Sequence, residues 1–181
     1  MKHISALSLT RMALAAALLA ICSWISIPAA VPFTLQTFAV FLILLTLPAW
    51  EGTMAILVYL LMGAVGLPVF SGFKGGISAL IGPTGGYLTG FLLTGLTALL
   101  FEKLRKTTLP WRIGALCLGL LICYTAGTIW FVCTYTSGAM TFGKALSLCV
   151  LPFLLPDAAK LALAAWISER IRKTGILNKA K

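Results

Sequence analysis

Charge is scarce in this sequence, and acidic charge scarcest: 4 Asp or Glu among 181 residues, against 14 Lys or Arg, with 10% of residues charged in all. A water-soluble domain carries about 25% charged residues, so a soluble globular chain is excluded. Aqueous disorder is excluded too, because it needs polar sequence. One histidine, His3, and five cysteines (Cys22, Cys117, Cys123, Cys133, Cys149) without a CxxC pair supply no ligand set for a metal. Cysteines lying mostly in or beside apolar runs read instead as small buried hydrophobes. No nucleotide-binding motif, HExxH or serine-centred nucleophile motif occurs, so the chain cannot hydrolyse ATP unaided and does not read as an enzyme.

What is present is apolar. Hydrophobic residues make up 60% of the chain, and mean hydropathy is +1.04. That composition belongs to a polytopic membrane protein. The length suits one compact bundle, a single integral membrane domain over residues 1–181 with a basic tail from about residue 172. The net charge of +10 gathers at the ends of apolar runs. It is therefore a topology signal and not the continuous basic surface that nucleic acid requires.

Six apolar segments can be drawn: about Leu9–Ile27, Phe33–Leu47, Thr53–Val65, Tyr87–Phe101, Ile113–Cys133 and Leu151–Ile171. The expected fold is an all-α membrane protein, a bundle of six transmembrane helices with a long, glycine-rich extracellular loop between helices 3 and 4, Gly66 to Gly86. Segments two and three fall short of the roughly 20 residues a membrane crossing needs and must recruit flanking residues or neighbours. Lys2 and Arg11 before an apolar run that ends near Pro28-Ala29-Ala30 imitate a secretory signal. The further spans and Trp24 point to a retained first helix. Thr134 to Val150 is ambiguous, a loop with or without a short helix, with Pro152 at the start of the last span.

The basic residues orient this bundle. Lys2 and Arg11 lead span one; Lys103, Arg105, Lys106 and Arg112 join spans four and five; Arg170, Arg172, Lys173, Lys179 and Lys181 follow span six. Six spans put all three clusters on one side, as the positive-inside rule requires; five or seven would scatter them. Both termini are then cytoplasmic in a multi-pass protein of the cell membrane. The Val31–Gln36, Gly66–Gly86 and Tyr135–Gly143 loops face outward together.

Asp157 and Lys160 stand out, one helical turn apart inside the last apolar run. A charge near the middle of a bilayer costs about 2.5–3.5 kcal/mol on insertion scales, so two of them call for a use. The i,i+3 spacing lets them pair structurally or grip a polar ligand from the outer half of span six. Thr34 and Gln36, at the outer edge of span two, offer a hydroxyl and an amide for a neutral ligand, although Thr34 also suits helix capping. Gly82-Pro83-Thr84-Gly85-Gly86-Tyr87 can form a rigid wall over a cavity, with Tyr87 either stacking on a ligand or marking the interface. It is not a phosphate loop, and Lys74 before it reads as a solvated loop charge. Tyr124, Gly127 and Trp130 share a helix face that either cradles a flat ring or simply packs around the glycine. Ala13, Ala17 and Ala20 form a small-residue stripe on which another helix, internal or from a second protein, can close.

Four of these pieces, V-P-F-T-L-Q (31–36), G-P-T-G-G-Y (82–87), Y-T-A-G-T-I-W (124–130) and P-D-A-A-K (156–160), resemble, in order, the BioY family, the substrate-binding S components of energy-coupling-factor biotin transporters. The resemblance runs from about Thr10 to Ile171. It implies six helices that bind biotin near the extracellular side, with Asp157 and Lys160 as the ligand-binding pair. Lys160 would meet a polar or anionic end of the ligand, with Thr34, Gln36, Tyr87 and Asp157 sharing the hydrogen bonds. Gly85, Gly86, Tyr124 and Trp130 would stand in the walls. It also implies that Ala13 and Ala17 dock on a transmembrane coupling subunit (the T component) that works with two cytoplasmic ATPases. Biotin would be cargo, and no cofactor is implied.

Overall fold

The computed structural model describes residues 5–29, 31–104, 108–134 and 141–174. Eight helices are present among them: α1 (Ala6–Trp24), α2 (Gln36–Thr46), α3 (Ala49–Ala64), α4 (Ile77–Ile81), α5 (Gly85–Lys103), α6 (Leu109–Thr134), α7 (Phe142–Cys149) and α8 (Leu151–Lys173). A short antiparallel ribbon joins α1 to α2, pairing Ser26 of β1 (Ser26–Ile27) with Thr34 of β2 (Phe33–Thr34). Each of the six apolar segments of the sequence lies on one of α1, α2, α3, α5, α6 and α8. Four of these, α1, α5, α6 and α8, are long and apolar enough to cross a membrane, whereas α2 and α3 have 11 and 16 residues. Large side chains such as Leu14, Leu121 and Leu155 project outward from α1, α6 and α8. Such an apolar outer surface is stable when lipid, not water, surrounds it.

The ambiguous stretch before the last helix resolves into α7 and a break at Val150, so that α8 begins with Pro152 in its first turn. A proline there sacrifices no helical hydrogen bond, because the first amides have no partner within the helix. The expected loop at 135–143 falls partly on residues 135–140, outside the described residues. So do Lys2, Ala30, Arg105, Lys106 and the tail beyond Thr174.

Two of the four acids close the end of the bundle opposite the 66–86 loop. Glu102 accepts the Ala49 amide at 2.7 Å at the start of α3, while the Arg112 guanidinium donates to the Leu44 and Leu47 carbonyls at 2.9 and 2.6 Å at the end of α2. The tight α2–α3 turn thus has both its free helix ends satisfied by side chains. Glu51 accepts from the Ser8 hydroxyl at 2.9 Å and faces Arg11 at 3.9 Å, tying α1 to α3.

At the other end, the glycine-rich 66–86 segment is anchored in the core by Val69 and Phe70 and ordered around them by hydrogen bonds. The Phe70 amide donates to the Lys74 carbonyl at 2.9 Å and the Gly76 amide to Gly63 at 2.7 Å, around a 3-10 turn at Ser71–Phe73. Gly76 holds φ +90°, a left-handed conformation that a side chain would strain. Trp24 stacks on Phe73 with ring centroids 5.1 Å apart, and its indole N–H donates to the Pro68 carbonyl at 2.9 Å. The loop therefore folds back over the bundle.

Candidate functional site

Beneath that loop lies a cavity of about 360 Å³. Ligand pockets range from about 300 to 1,000 Å³, so this one suits a small molecule. Its walls come from the β2–α2 junction, the 66–86 loop, and the facing ends of α5, α6, α7 and α8. Asp157 and Lys160 both line it and are both buried, 1% and 8% exposed.

These two charges are held from several sides. α2 packs along α8, and this brings Thr37 to the pair. The Lys160 ammonium donates to Asp157 Oδ1 at 2.8 Å, to Thr37 Oγ1 at 3.0 Å and to the Thr34 carbonyl at 2.7 Å. It also lies 4.2 Å from the centre of the Phe33 ring, a favourable cation–π position. Asp157 Oδ1 accepts a further bond from Thr37 Oγ1 at 2.8 Å, and Oδ2 accepts one from the Tyr124 hydroxyl at 2.6 Å. An ammonium has three donors and all three are used; a carboxylate has about four acceptor sites, of which one, on Oδ2, is left.

A second polar patch adjoins the first. Gln36 Nε2 donates to the Tyr59 hydroxyl at 2.6 Å, and the Thr34 hydroxyl donates to Gln36 Oε1 at 3.1 Å. Thr34 Oγ1 also accepts the Gln36 backbone amide at 3.2 Å, but the N-cap position of α2 is Leu35, so Thr34 stands one residue before the cap that the sequence suggested. Tyr87 and Thr128 share a hydroxyl–hydroxyl bond at 3.2 Å. Phe70, Leu88, Phe91 and Phe153 complete an apolar body around these groups. Among the described residues no group of three or more His, Cys, Asp or Glu side chains gathers as a metal site.

The structure thus brings Thr34, Gln36, Tyr87, Tyr124, Asp157 and Lys160 into one lining. It does not bring Gly85, Gly86 or Trp130 there. A Cβ on Gly86 would come 2.3 Å from Trp130 Cβ, and one on Gly85 would come 1.7 Å from the Leu80 carbonyl oxygen. The Trp130 indole N–H donates to the Gly82 carbonyl at 3.0 Å. These glycines make room for a protein indole and for α4, so their close approach is made by the chain itself. Gly127 does the same for Tyr87, whose ring would sit 2.3 Å from an added Cβ, so the stripe divides: Gly127 and Trp130 pack against the chain, while Tyr124 faces the cavity. Ala13 and Ala17 are exposed on α1, whereas Ala16 and Ala20 are buried. Sequence reasoning gave no role of their own to Phe33 and Thr37, which flank Thr34 and Gln36 in the same stretch, and missed Tyr59. Thr37 was open to discovery as the hydroxyl directly after Gln36 in the first turn of α2. Lys74 is exposed, as a loop charge should be, yet it lines the cavity.

Comparison with known proteins agrees with the four motifs. The biotin transporter BioY of Thermotoga maritima is 45% identical over 159 residues, spanning 87% of this chain and 90% of the relative. Biotin transporter BioY2 of Lactococcus lactis subsp. cremoris is 39% identical over 90% of this chain and 88% of its own. The crystal structure of the S-component for biotin from an ECF-type ABC transporter superposes with a TM-score of 0.82 at 26% identity, covering 96% of this chain and 94% of the other. The profile of the BioY family matches residues 1–176, and this chain belongs to the BioY family.

Proposed function

We propose that the chain is the high-affinity biotin-binding S component of an energy-coupling-factor uptake transporter, a binding subunit and not an enzyme. The observation that carries this reading is the buried Asp157–Lys160 pair in a ligand-sized cavity, with Thr37 and Tyr124 hydrogen-bonded to it. Biotin offers a flat ureido head with two N–H donors and one carbonyl, a thioether ring and an apolar chain. Asp157, Thr34, Gln36, Tyr87 and Tyr124 are its hydrogen-bonding contacts, Lys160 holds the Asp157 carboxylate in place for it, and the aromatic walls cover its apolar body.

The chain forms one membrane domain that crosses the bilayer six times, with α2 and α3 crossing as short helices supported by their neighbours. The positive-inside rule supports this orientation: Arg11, Lys103, Arg112, Arg170, Arg172 and Lys173 lie at the end away from the cavity. That end, with both termini, is cytoplasmic, and the cavity with its 66–86 loop opens outward. ATP hydrolysis comes from two cytoplasmic ATPases through a coupling T component, against which the exposed Ala13 and Ala17 let a helix close.

The test is titration of the purified chain with biotin and, as controls, thiamine and riboflavin. Wild type binds biotin with nanomolar affinity and neither control, and Lys160→Ala weakens biotin binding by about thirtyfold or more, the loss expected when one partner of a buried charge pair is removed. Folded wild-type protein that ignores biotin would sink the assignment.

A further inference from the structure

Three charged side chains line the cavity among the described residues, and the buried pair accounts for only two; the third is Lys74. Resting on the biotin reading above, we infer that Lys74 binds the carboxylate of the ligand at the cavity mouth, so that the ureido head enters first and the carboxylate faces outward.

The buried pair is poorly suited to an added anion. Every donor of the Lys160 ammonium is already taken by Asp157, Thr37 and the Thr34 carbonyl. A carboxylate could reach it only by breaking one of these bonds, and would then lie beside the Asp157 carboxylate in a desolvated place. Like charges in such a setting repel strongly because little water screens them. What the pair still offers is acceptance: one free site on Asp157 Oδ2. Gln36, with one Nε2 hydrogen on Tyr59, keeps a second donor. An acceptor beside a donor matches a neutral N–H and carbonyl group, which is the ureido head and not the carboxylate.

Lys74 has the opposite character. It is exposed, on the loop that roofs the cavity, and no carboxylate of the described residues lies within ion-pair distance of it. All four acids of the chain are described; Glu51, Glu102 and Asp157 have the partners named above, and Glu169 is in the last turns of α8. The backbone around Lys74 is fixed by the Phe70–Lys74 and Gly63–Gly76 hydrogen bonds, so the loop presents the ammonium from a defined position. An anion held there loses less hydration than one carried to the pair, and it neutralises a cation that has no counter-charge.

The experiment compares biotin with biotinamide, its uncharged carboxamide, on the full chain in lipid nanodiscs, using wild type, Lys74→Gln and Lys74→Arg. Wild type prefers biotin over the amide; Lys74→Gln weakens biotin by about fivefold, the upper range for a partly exposed ion pair, and leaves the amide unchanged. Lys74→Arg restores the preference, and added salt erodes it in wild type alone of the wild-type and Lys74→Gln pair. If Lys74→Gln still discriminates acid from amide as wild type does, the orientation is wrong while the biotin assignment stands. If folded wild type binds neither compound, both readings fall together.

Discussion

Neutralising the buried pair one charge at a time and then together separates its structural from its binding role. Lys160→Met leaves the Asp157 carboxylate, 1% exposed, with only the Thr37 and Tyr124 hydroxyls as partners. Removing one member of a buried ion pair costs about 3–5 kcal/mol, because the other charge stays desolvated and uncompensated. Asp157→Asn is milder. Its amide oxygen can still accept from the ammonium, which keeps the Thr34 carbonyl, Thr37 Oγ1 and the Phe33 ring. The double variant Asp157→Asn/Lys160→Met leaves no charge at all, and such apolar or neutral replacements of buried pairs bring stability to within about 1 kcal/mol of the original or better.

The expected pattern is therefore a thermal midpoint that falls most in Lys160→Met, less in Asp157→Asn, and largely recovers in the double variant. Biotin affinity does not follow it: all three variants bind weakly, since each lacks the charged acceptor, the cation that holds it in place, or both. Tryptophan fluorescence in detergent follows unfolding, and calorimetric titration follows binding. A double variant that regains both stability and biotin affinity would refute the reasoning, because the pair would then be only a strut between α2 and α8.

Glycine substitutions on α6 should diverge by position. Gly127→Ala forces the Tyr87 ring to move, since the new Cβ meets it at 2.3 Å, so both midpoint and biotin affinity fall. Gly114→Ala, with nothing within 4 Å of its Cβ, gains about 0.5–1 kcal/mol of helix preference and leaves binding alone. Topology is checked with single cysteines at positions 74 and 170 in a chain whose five native cysteines are replaced by alanine. A membrane-impermeant maleimide labels position 74 in intact cells and position 170 only after permeabilisation; the reverse pattern would invert the orientation.

The long helices were legible because desolvated backbone must form its own hydrogen bonds, so an apolar run of sufficient length has few alternatives to a helix. Breakers marked their ends, as Pro48 does between α2 and α3. The five residues of α4 and the two-residue strands of the ribbon were not legible, since so few residues show no hydrophobic period, and the eight of α7 were legible only as one of two alternatives, a loop with or without a short helix. Their order comes from tertiary hydrogen bonds, such as that from the Gly76 amide to Gly63 on α3, which leave no local mark.

The site divides along the same physical line. Charges in an apolar run announce themselves, because their desolvation has to be compensated somewhere, and so Asp157 and Lys160 were found at once. Hydroxyls do not. Thr53, Thr89, Thr94 and Thr125 all donate to carbonyls of their own helices, an outlet that makes a threonine inexpensive in any membrane helix. Thr37 has the same surroundings in sequence but turns to α8 instead, and only the packing of two helices decides which happens. The glycine motif was legible in part: Gly82, Pro83, Thr84 and Tyr87 stand in the cavity wall, but a glycine signals only that something approaches closely, not whether that something is a ligand or, as with Gly86, an indole. The consequence for binding is that the groups easiest to read are also the ones most fully used by the protein. Lys160 has spent its donors on β2, α2 and α8, so recognition of a negative group has to come from a cation with none committed, which directs attention from the buried pair to the loop above it.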